Sequence, residues 1–300
     1  MSLRHLLPPD GVEELLSGWP DEPRVYQRGR TDVDSVITAD WLWDHIDLGC
    51  VPPEEVRAVK KGVPSITAHA FSTHGRTDGR RLRGLYERGY TIRLGNLQRV
   101  MAVFGRISHE IQQETGCSNY VHAFMTAAGQ QGLSHHWDQQ MAVIVQLAGG
   151  KLWELWGPVV DSPMREVNES GRVWDESWIP GWEDRGPDLS VHLMPGESLL
   201  VPRGWVHNPS VPEDGQDSVH LTFAIRERTP YWLAEKILAG LIENPAMRRI
   251  IPPGELLGPG LPRHLEETCG QLASYLASVD VEGLAERVTT AALSELEYTT

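Results

Sequence analysis

The stretch GLSHHWDQQMAVIVQLAGGKLWELW, residues 132–156, decides how the chain folds. MAVIVQL is rich in β-branched and apolar residues, Gly149-Gly150 is a turn signal, and KLWELW is a second β-forming run. Together they predict a hairpin, with His136 and Asp138 at its entry. On extended backbone, residues two apart share a face, so an imidazole and a carboxylate point the same way.

Chance has to be weighed against that pattern. With 12 His and 16 Asp in 300 residues, composition alone gives roughly 0.6 His-x-Asp triplets. A second copy, His45-Ile46-Asp47, lies in TADWLWDHIDLG. There Thr38 or Asp40 can cap a helix and Gly49 can end it. Helical residues two apart diverge by about 200° and cannot grip one ion. Context therefore favours the pair at 136 and 138.

Around the hairpin, residues 119–226 break into short strands at Gly and Pro: YVHAFMT, SVHLM, SLLVP and SVHLTFAI, the pattern of a sandwich or barrel. In LMPGESLLVPRGWVHNPS (193–210), Pro195-Gly196 and Pro202-Arg203-Gly204 form turns around a strand, and His207 projects from the next one. If the sheet closes, His207 returns over the first hairpin. Two imidazoles and one carboxylate on one barrel face make a facial triad that leaves coordination positions open on Fe(II). A zinc site of two histidines and a carboxylate is the chemical competitor.

Residues 1–88 read as helix and loop, beginning with a capping-box-like start at Asp10-Gly11-Val12-Glu13. The basic stretch THGRTDGRRLRGLYERG contains an exposed loop. Gly89–Leu94 reads as a strand. Leu97, Val100, Phe104, Ile107 and Ile111 mark an amphipathic helix ended by Gly116. A polar insertion, 157–190, carries Trp174, Trp178 and Trp182 at fourfold spacing, either packed onto the barrel or facing substrate as a lid. After the capping pair Thr229-Pro230, three apolar stripes follow: Leu233, Ile237 and Leu241; Leu265, Cys269, Leu272 and Leu276; and Leu284, Val288 and Leu296. These stripes need a partner surface: self-association is the expectation, and docking onto the barrel is the alternative.

A formal charge of −14 argues against a nucleic-acid groove and favours basic partners. Three scattered cysteines, Cys50, Cys117 and Cys269, fit a reducing cytosol. MAVIVQLA falls far short of a membrane span, and MSLRHLLPPD lacks the apolar core of a signal peptide. A cytoplasmic protein without a membrane segment is expected.

These motifs carry a resemblance. G-x-x-x-H-x-D followed by a hydrophobic strand and QLAGGKLWELW, then PGESLLVPRGWVH, then SVHLTFAI, resembles the JmjC/cupin-type Fe(II)- and 2-oxoglutarate-dependent oxygenases, in particular the bacterial branch similar to ribosomal oxygenases. It is close over about residues 89–228 and looser at both ends. It implies a mainly β fold with α elements: a double-stranded β-helix (jelly-roll) at 89–228, helical support at 1–88 and a helical domain at 229–300. It implies His136, Asp138 and His207 as the catalytic iron ligands and Lys151 as the cation for the distal carboxylate of 2-oxoglutarate. O2 is the second cosubstrate, and the reaction is hydroxylation of an unactivated C–H bond.

Lys151 also fits on physical grounds, because an ammonium facing into a barrel needs an anionic partner. Thr222 is a candidate for a further hydrogen bond to the cosubstrate. The chain departs from the family pattern at Phe124, where relatives often have tyrosine, and at Gln139-Gln140-Met141, where they often have acidic residues. His135 reads as a surface or supporting residue, since its neighbour at i+2 is Trp137. His122 and His220 read as hydrogen-bonded core residues, and Trp137 as packing outside the barrel. The expected substrate is an amino-acid side chain of a protein or peptide. The alternatives are a small-molecule hydroxylase and a non-oxygenase metal cupin, an isomerase or ligand-binding protein that would not require Lys151. Residues 229–300 are too few for both the dimerisation helices and the winged helix of ribosomal oxygenases, which keeps peptides and small molecules in view.

Overall fold

Alternation explains the central sheet of the computed structural model, which describes residues 3–295. In β7 (Asn119–Thr126), β8 (Met141–Ala148) and β13 (Ser218–Ile225), Val121, Ala123, Met125, Val143, Val145, Leu221 and Phe223 enter one apolar core. Their alternate neighbours His122, Phe124, Ala142, Ile144, His220 and Thr222 line a cavity on the opposite face. A sheet with one face on a core and the other on a cavity must be covered twice.

The first cover comes from the N-terminal segment. Leu3, Leu6, Val12, Leu15, Leu42, Ile46 and Leu82 join the main core, from helices that include Pro9–Ser17, Ala39–Asp47 and Gly79–Glu87. This segment is not purely helix and loop. Its strands β1 (Arg24–Gln27), β2 (Val56–Lys60) and β3 (Val63–Ile66) join the sheet, and β4 (Ser72–Thr73) with β5 (Arg76–Thr77) form a small hairpin. With β6 (Thr91–Leu94) and β11 (Glu197–Val201), the eight-stranded order is β1-β11-β8-β13-β7-β6-β2-β3.

The second cover is a three-stranded sheet, β10 (Leu189–Leu193), β9 (Lys151–Trp156) and β12 (Val206–Ser210), in the order β10-β9-β12. Trp153, Leu155 and Leu193 pack against Ala142, Ile144, Leu199 and Val201 of the large sheet. Two antiparallel sheets facing one another give the double-stranded β-helix that the family resemblance implies.

Here the predicted hairpin fails. β8 pairs with β11 and β13, whereas β9 pairs with β10 and β12. Gly149, at φ +59°, carries the chain from one sheet to the other. A Gly-Gly turn has the same signature whether it joins paired strands or turns a corner between sheets.

Other local expectations shift as well. Pro8, with no side-chain cap, precedes the helix in which a capping box was expected, and Asp10 lies inside its first turn. Asp78 caps Gly79–Glu87, a helix that takes up the later part of the basic stretch expected to contain a loop. Extended backbone at Met101 divides the amphipathic helix into Leu97–Val100 and Ala102–Thr115. Gly116, at φ +68°, ends the second part as expected.

The chain divides into two units, the first ending at Glu227 and the second running over Arg228–Glu295. The second unit is helical, with Pro230–Ala239, Leu261–Ser278 and Val281–Ser294 as its longest helices. Thr229 accepts from the Trp232 N–H at 3.2 Å, as a cap should. Leu241 and Leu284 are buried, while Leu265, Cys269 and Leu276 of the second stripe are exposed. Leu296 lies outside the described residues. No described helix is long and apolar enough to cross a membrane.

Candidate active site

His136 and Asp138 sit on an irregular segment before β8 rather than on a strand. Backbone pairing with β12 fixes them there. The His136 N–H donates to the His207 carbonyl (3.2 Å) and the His207 N–H donates back to the His136 carbonyl (2.8 Å). The Gly204 N–H donates to the Asp138 carbonyl at 2.9 Å, and Gly204 has φ +84°. The P-R-G turn thus clamps the H-x-D segment, which explains why the two motifs belong together.

The three side chains meet in one cavity of about 240 Å³. The imidazoles of His136 and His207 have centroids 4.2 Å apart, and His207 Nε2 lies 3.9 Å from an Asp138 carboxylate oxygen. Each ring has its other nitrogen engaged. His136 Nδ1 is 2.7 Å from the Ser134 carbonyl and His207 Nδ1 is 3.0 Å from the Trp205 carbonyl. A carbonyl only accepts, so both Nδ1 atoms carry the proton and both Nε2 lone pairs are free. That is the tautomer a metal-binding histidine needs. Burial, together with His136, pushes the His207 pKa down to about 4, and Asp138 opposes the shift. Among the described residues, no three His, Cys, Asp or Glu side chains close into a finished metal cage. The donor types, the tautomers and the shared cavity nevertheless fit an iron with two imidazoles and one carboxylate.

Lys151 lies in the same cavity, on β9, and is buried. Its ammonium donates to Thr126 Oγ1 at 3.2 Å, and Thr126 Oγ1 lies 2.9 Å from Thr91 Oγ1. No ion pair to Lys151 is present among the described residues. Desolvation by burial lowers its pKa from 10.5 to about 7. Thr222 lines the cavity too, opposite Ile144 on one side and His122 on the other.

The remaining histidines separate by face. His122 is buried, and its Nδ1 accepts from the Asn96 N–H at 3.2 Å. Its pKa falls to about 3, through burial first and then Arg93. His220 is buried against Phe124, with parallel rings 4.9 Å apart. It is held neutral by burial and by Lys151, and its Nδ1 has no hydrogen bond. His135 is not on the surface: it is buried between Trp156 and Trp182, away from the cavity. Trp137, also outside the cavity, joins Trp156, Trp182 and Val206 in a separate cluster, with Trp174 and Trp178 against it. The indoles of the insertion therefore pack on one another and on the barrel wall. His45 and Asp47 have other partners, the Trp41 carbonyl at 2.7 Å and Arg83 at 2.7 Å.

Sequence reasoning missed Arg93, Tyr120, Thr126 and Trp153, all of them cavity or Lys151 contacts. Alternation along β6 was the available signal, because Ile92 and Leu94 mark the core face and leave Thr91 and Arg93 on the other.

In comparison with known proteins, the JmjC domain family model matches residues 94–233. The chain is 25% identical over 160 residues to a bifunctional lysine-specific demethylase and histidyl-hydroxylase NO66 of Drosophila pseudoobscura pseudoobscura, covering 53% of this chain and 16% of that protein. It is 29% identical over 175 residues to human ribosomal oxygenase 1, covering 56% of this chain and 26% of that protein. The chain thus spans about a quarter or less of these two relatives. A structure of the Escherichia coli ribosomal oxygenase YcfD, in complex with cobalt and 2-oxoglutarate, superposes with a TM-score of 0.59 at 12% identity. That likeness covers 98% of this chain and 73% of that one, and it establishes the shared fold.

Proposed function

We infer that a chain with a JmjC domain over residues 94–233 and this cavity is an Fe(II)- and 2-oxoglutarate-dependent dioxygenase, hydroxylating an unactivated C–H bond of an amino-acid side chain in a protein or peptide. The observation that carries the reading is Lys151. A buried ammonium without a carboxylate partner, in the same cavity as His136, Asp138 and His207, requires an anion to complete it. A metal cupin of another activity would not require that charge.

In this reading His136 Nε2, His207 Nε2 and the Asp138 carboxylate hold the iron, and the Ser134 and Trp205 carbonyls fix the two rings. Iron held there would supply the activation of O2, one oxygen atom entering succinate as 2-oxoglutarate loses CO2 and the other going to the substrate carbon. Lys151 holds the distal carboxylate, with Thr126 positioning the ammonium and Thr222 offering a further hydroxyl. Ile144, Trp153 and Val201 form the apolar wall that keeps water from this end.

The exposed stripe of Leu265, Cys269 and Leu276 on Leu261–Ser278, a helix with no buried residue, supports self-association into a dimer. Sedimentation at micromolar concentration tests it, and a monomer there removes the idea. The unpaired cysteines support action in a reducing cytoplasm.

The deciding experiment is anaerobic addition of Fe(II) and then 2-oxoglutarate, followed by visible absorption. A charge-transfer band is expected for the wild type and for His45→Ala, and none for Asp138→Ala. A protein that binds iron but shows neither the band nor 2-oxoglutarate affinity is a metal cupin of another kind.

A further inference from the structure

One wall of the cavity carries charge that the iron and cosubstrate leave unanswered. β2 and β6 pair antiparallel with Arg57 directly opposite Arg93 and Val59 opposite Thr91. Val56, Ala58, Ile92 and Leu94 are buried in the main core, so period-2 alternation puts both guanidinium groups on the opposite face. Thr91, Arg93 and Val59 line the cavity there. Like charges directly opposite on paired strands destabilise the pair.

The described residues relieve this only in part. Arg93 Nε is shielded from solvent with no hydrogen bond. Among the described residues neither Arg57 nor Arg93 has an ion pair. Glu55, whose charge Arg93 feels, is held by Asn96 Nδ2 at 2.9 Å and lies 3.6 Å from Arg99. Asp138 is the other carboxylate that acts on Arg93, and the proposed iron claims it. His122 adds a third donor. Its Nδ1 accepts from Asn96, so the neutral ring carries its proton on Nε2 and presents N–H. Tyr120 also acts on Arg93, with its hydroxyl donating to Gln140 Oε1 at 3.2 Å, so this wall offers more positive charge than its own acceptors answer.

We propose that Arg93, backed by Arg57 and the His122 Nε2–H, is the substrate-recognition group, and that the substrate brings a carboxylate to it. The inference rests on the oxygenase reading and adds the chemistry of the substrate. It also reverses what net charge suggests: a chain at −14 attracts basic partners at long range, but the field beside the reacting centre is set by the two guanidinium groups. A lysyl or arginyl side chain entering here meets like charge. An aspartyl or glutamyl side chain, a peptide C-terminus or a free carboxylic acid supplies the missing partner, and bidentate pairing with a guanidinium orients it.

The test uses the full chain loaded with Zn(II) as an unreactive substitute for iron and saturated with 2-oxoglutarate. Saturation-transfer NMR then titrates five probes: acetyl-Gly-Asp-Gly-amide, its Asn and Arg twins, acetyl-triglycine with a free C-terminus, and phenylacetate. Binding of at least one carboxylate probe over the Asn and Arg peptides is expected, and the one that binds identifies the source of the carboxylate. Arg93→Gln is expected to weaken that probe roughly 10- to 100-fold, the usual worth of a charge-assisted hydrogen bond. Arg57→Gln should weaken it less, Arg93→Lys should retain much of the binding, and 2-oxoglutarate affinity should stay unchanged in all three. Equal binding of the Asp and Asn peptides, or wild-type probe affinity in Arg93→Gln, overturns the proposal. So does an equal loss of 2-oxoglutarate affinity in Arg93→Gln, which would move Arg93 to the cosubstrate site. Repeating the titration without 2-oxoglutarate separates the two readings, because failure of the oxygenase reading shows as absent cosubstrate binding while the Arg93-dependent preference is measured independently.

Discussion

At the scale of single residues, Lys151 is the group on which the proposed 2-oxoglutarate oxygenase separates from other uses of a cavity with two histidines and an aspartate. An ammonium and a carboxylate ~4 Å apart at an effective dielectric near 20 attract by ~4 kcal/mol, reduced by desolvation. A net loss of ~2 to 3 kcal/mol makes Lys151→Met roughly 30- to 150-fold weaker for 2-oxoglutarate. Iron binding should survive, and Lys151→Arg should keep part of the affinity because its charge persists. Anaerobic titration of the Fe(II) protein checks all three. The lowered pKa of Lys151, about 7, adds a second prediction. Above pH 7 the free amine is largely neutral, whereas the bound carboxylate favours the ammonium. Cosubstrate binding should therefore take up protons above pH 7 and weaken as pH rises. Calorimetry in two buffers of different ionisation enthalpy reads that uptake, and none at pH 8 would mean that the ammonium is not the partner. The H-x-D pair stood out by residue types at a recognisable spacing, and Lys151 through the family resemblance; the structure brings all three side chains into one cavity. Arg93 did not stand out, since an arginine in a strand is usually solvated until the facing strand places Arg57 opposite it.

The element scale is where the sequence misled. Two β-forming runs around Gly149-Gly150 read as a hairpin, but each run pairs with strands far away in the chain. Period-2 alternation reports which face a residue occupies, not which strand lies beside it. The faces therefore came out right although the pairing did not, and Lys151 still reached the cavity. The corner has a mechanical signature. Gly149 has φ +59°, and a Cβ there would overlap the Asp217 carbonyl, which is backbone and cannot swing aside. At Gly150 the obstacles are the ends of the His192 and Met194 side chains. Gly149→Ala should therefore cost about 2 to 4 kcal/mol, and Gly150→Ala clearly less. Urea unfolding with an unchanged slope measures the difference, and equal costs would remove the corner explanation. The tryptophan insertion was half legible. Fourfold spacing placed the indoles on one side of a segment, but their partners, Trp137 and Trp156, belong to the barrel and are invisible locally.

For the molecule as a whole, the cavity that serves chemistry is a burden on stability, and pH exposes it. His122, His207 and His220 are buried and held neutral, with pKa values near 3, near 4 and well below 6.5. In the unfolded chain each binds a proton near pH 6.5. As pH falls from about 6.5 toward 4 the unfolded state takes up protons that the folded state refuses, so stability is lost across that window. The slope approaches ~1.4 kcal/mol per pH unit for each histidine that stays neutral. Glu227 opposes this, because burial raises its pKa and the folded state binds that proton first. It is one group against these three and His135, whose pKa burial also lowers. On the alkaline side Lys151 acts in the same direction as the histidines: its folded pKa is lowered, so the cost of burying its charge is greatest below pH 7 and disappears as pH rises toward 10.5. The metal-free protein should therefore lose stability steeply below pH 6.5 and gain some between pH 7 and 10. Urea midpoints measured from pH 4 to 10 read both limbs. His220→Phe, which keeps a ring against Phe124, should flatten the acid limb without touching the alkaline one, and Lys151→Met should do the reverse. If the acid limb is unchanged in His220→Phe, that ring is protonated in the folded protein and the cavity is wetter than its burial implies.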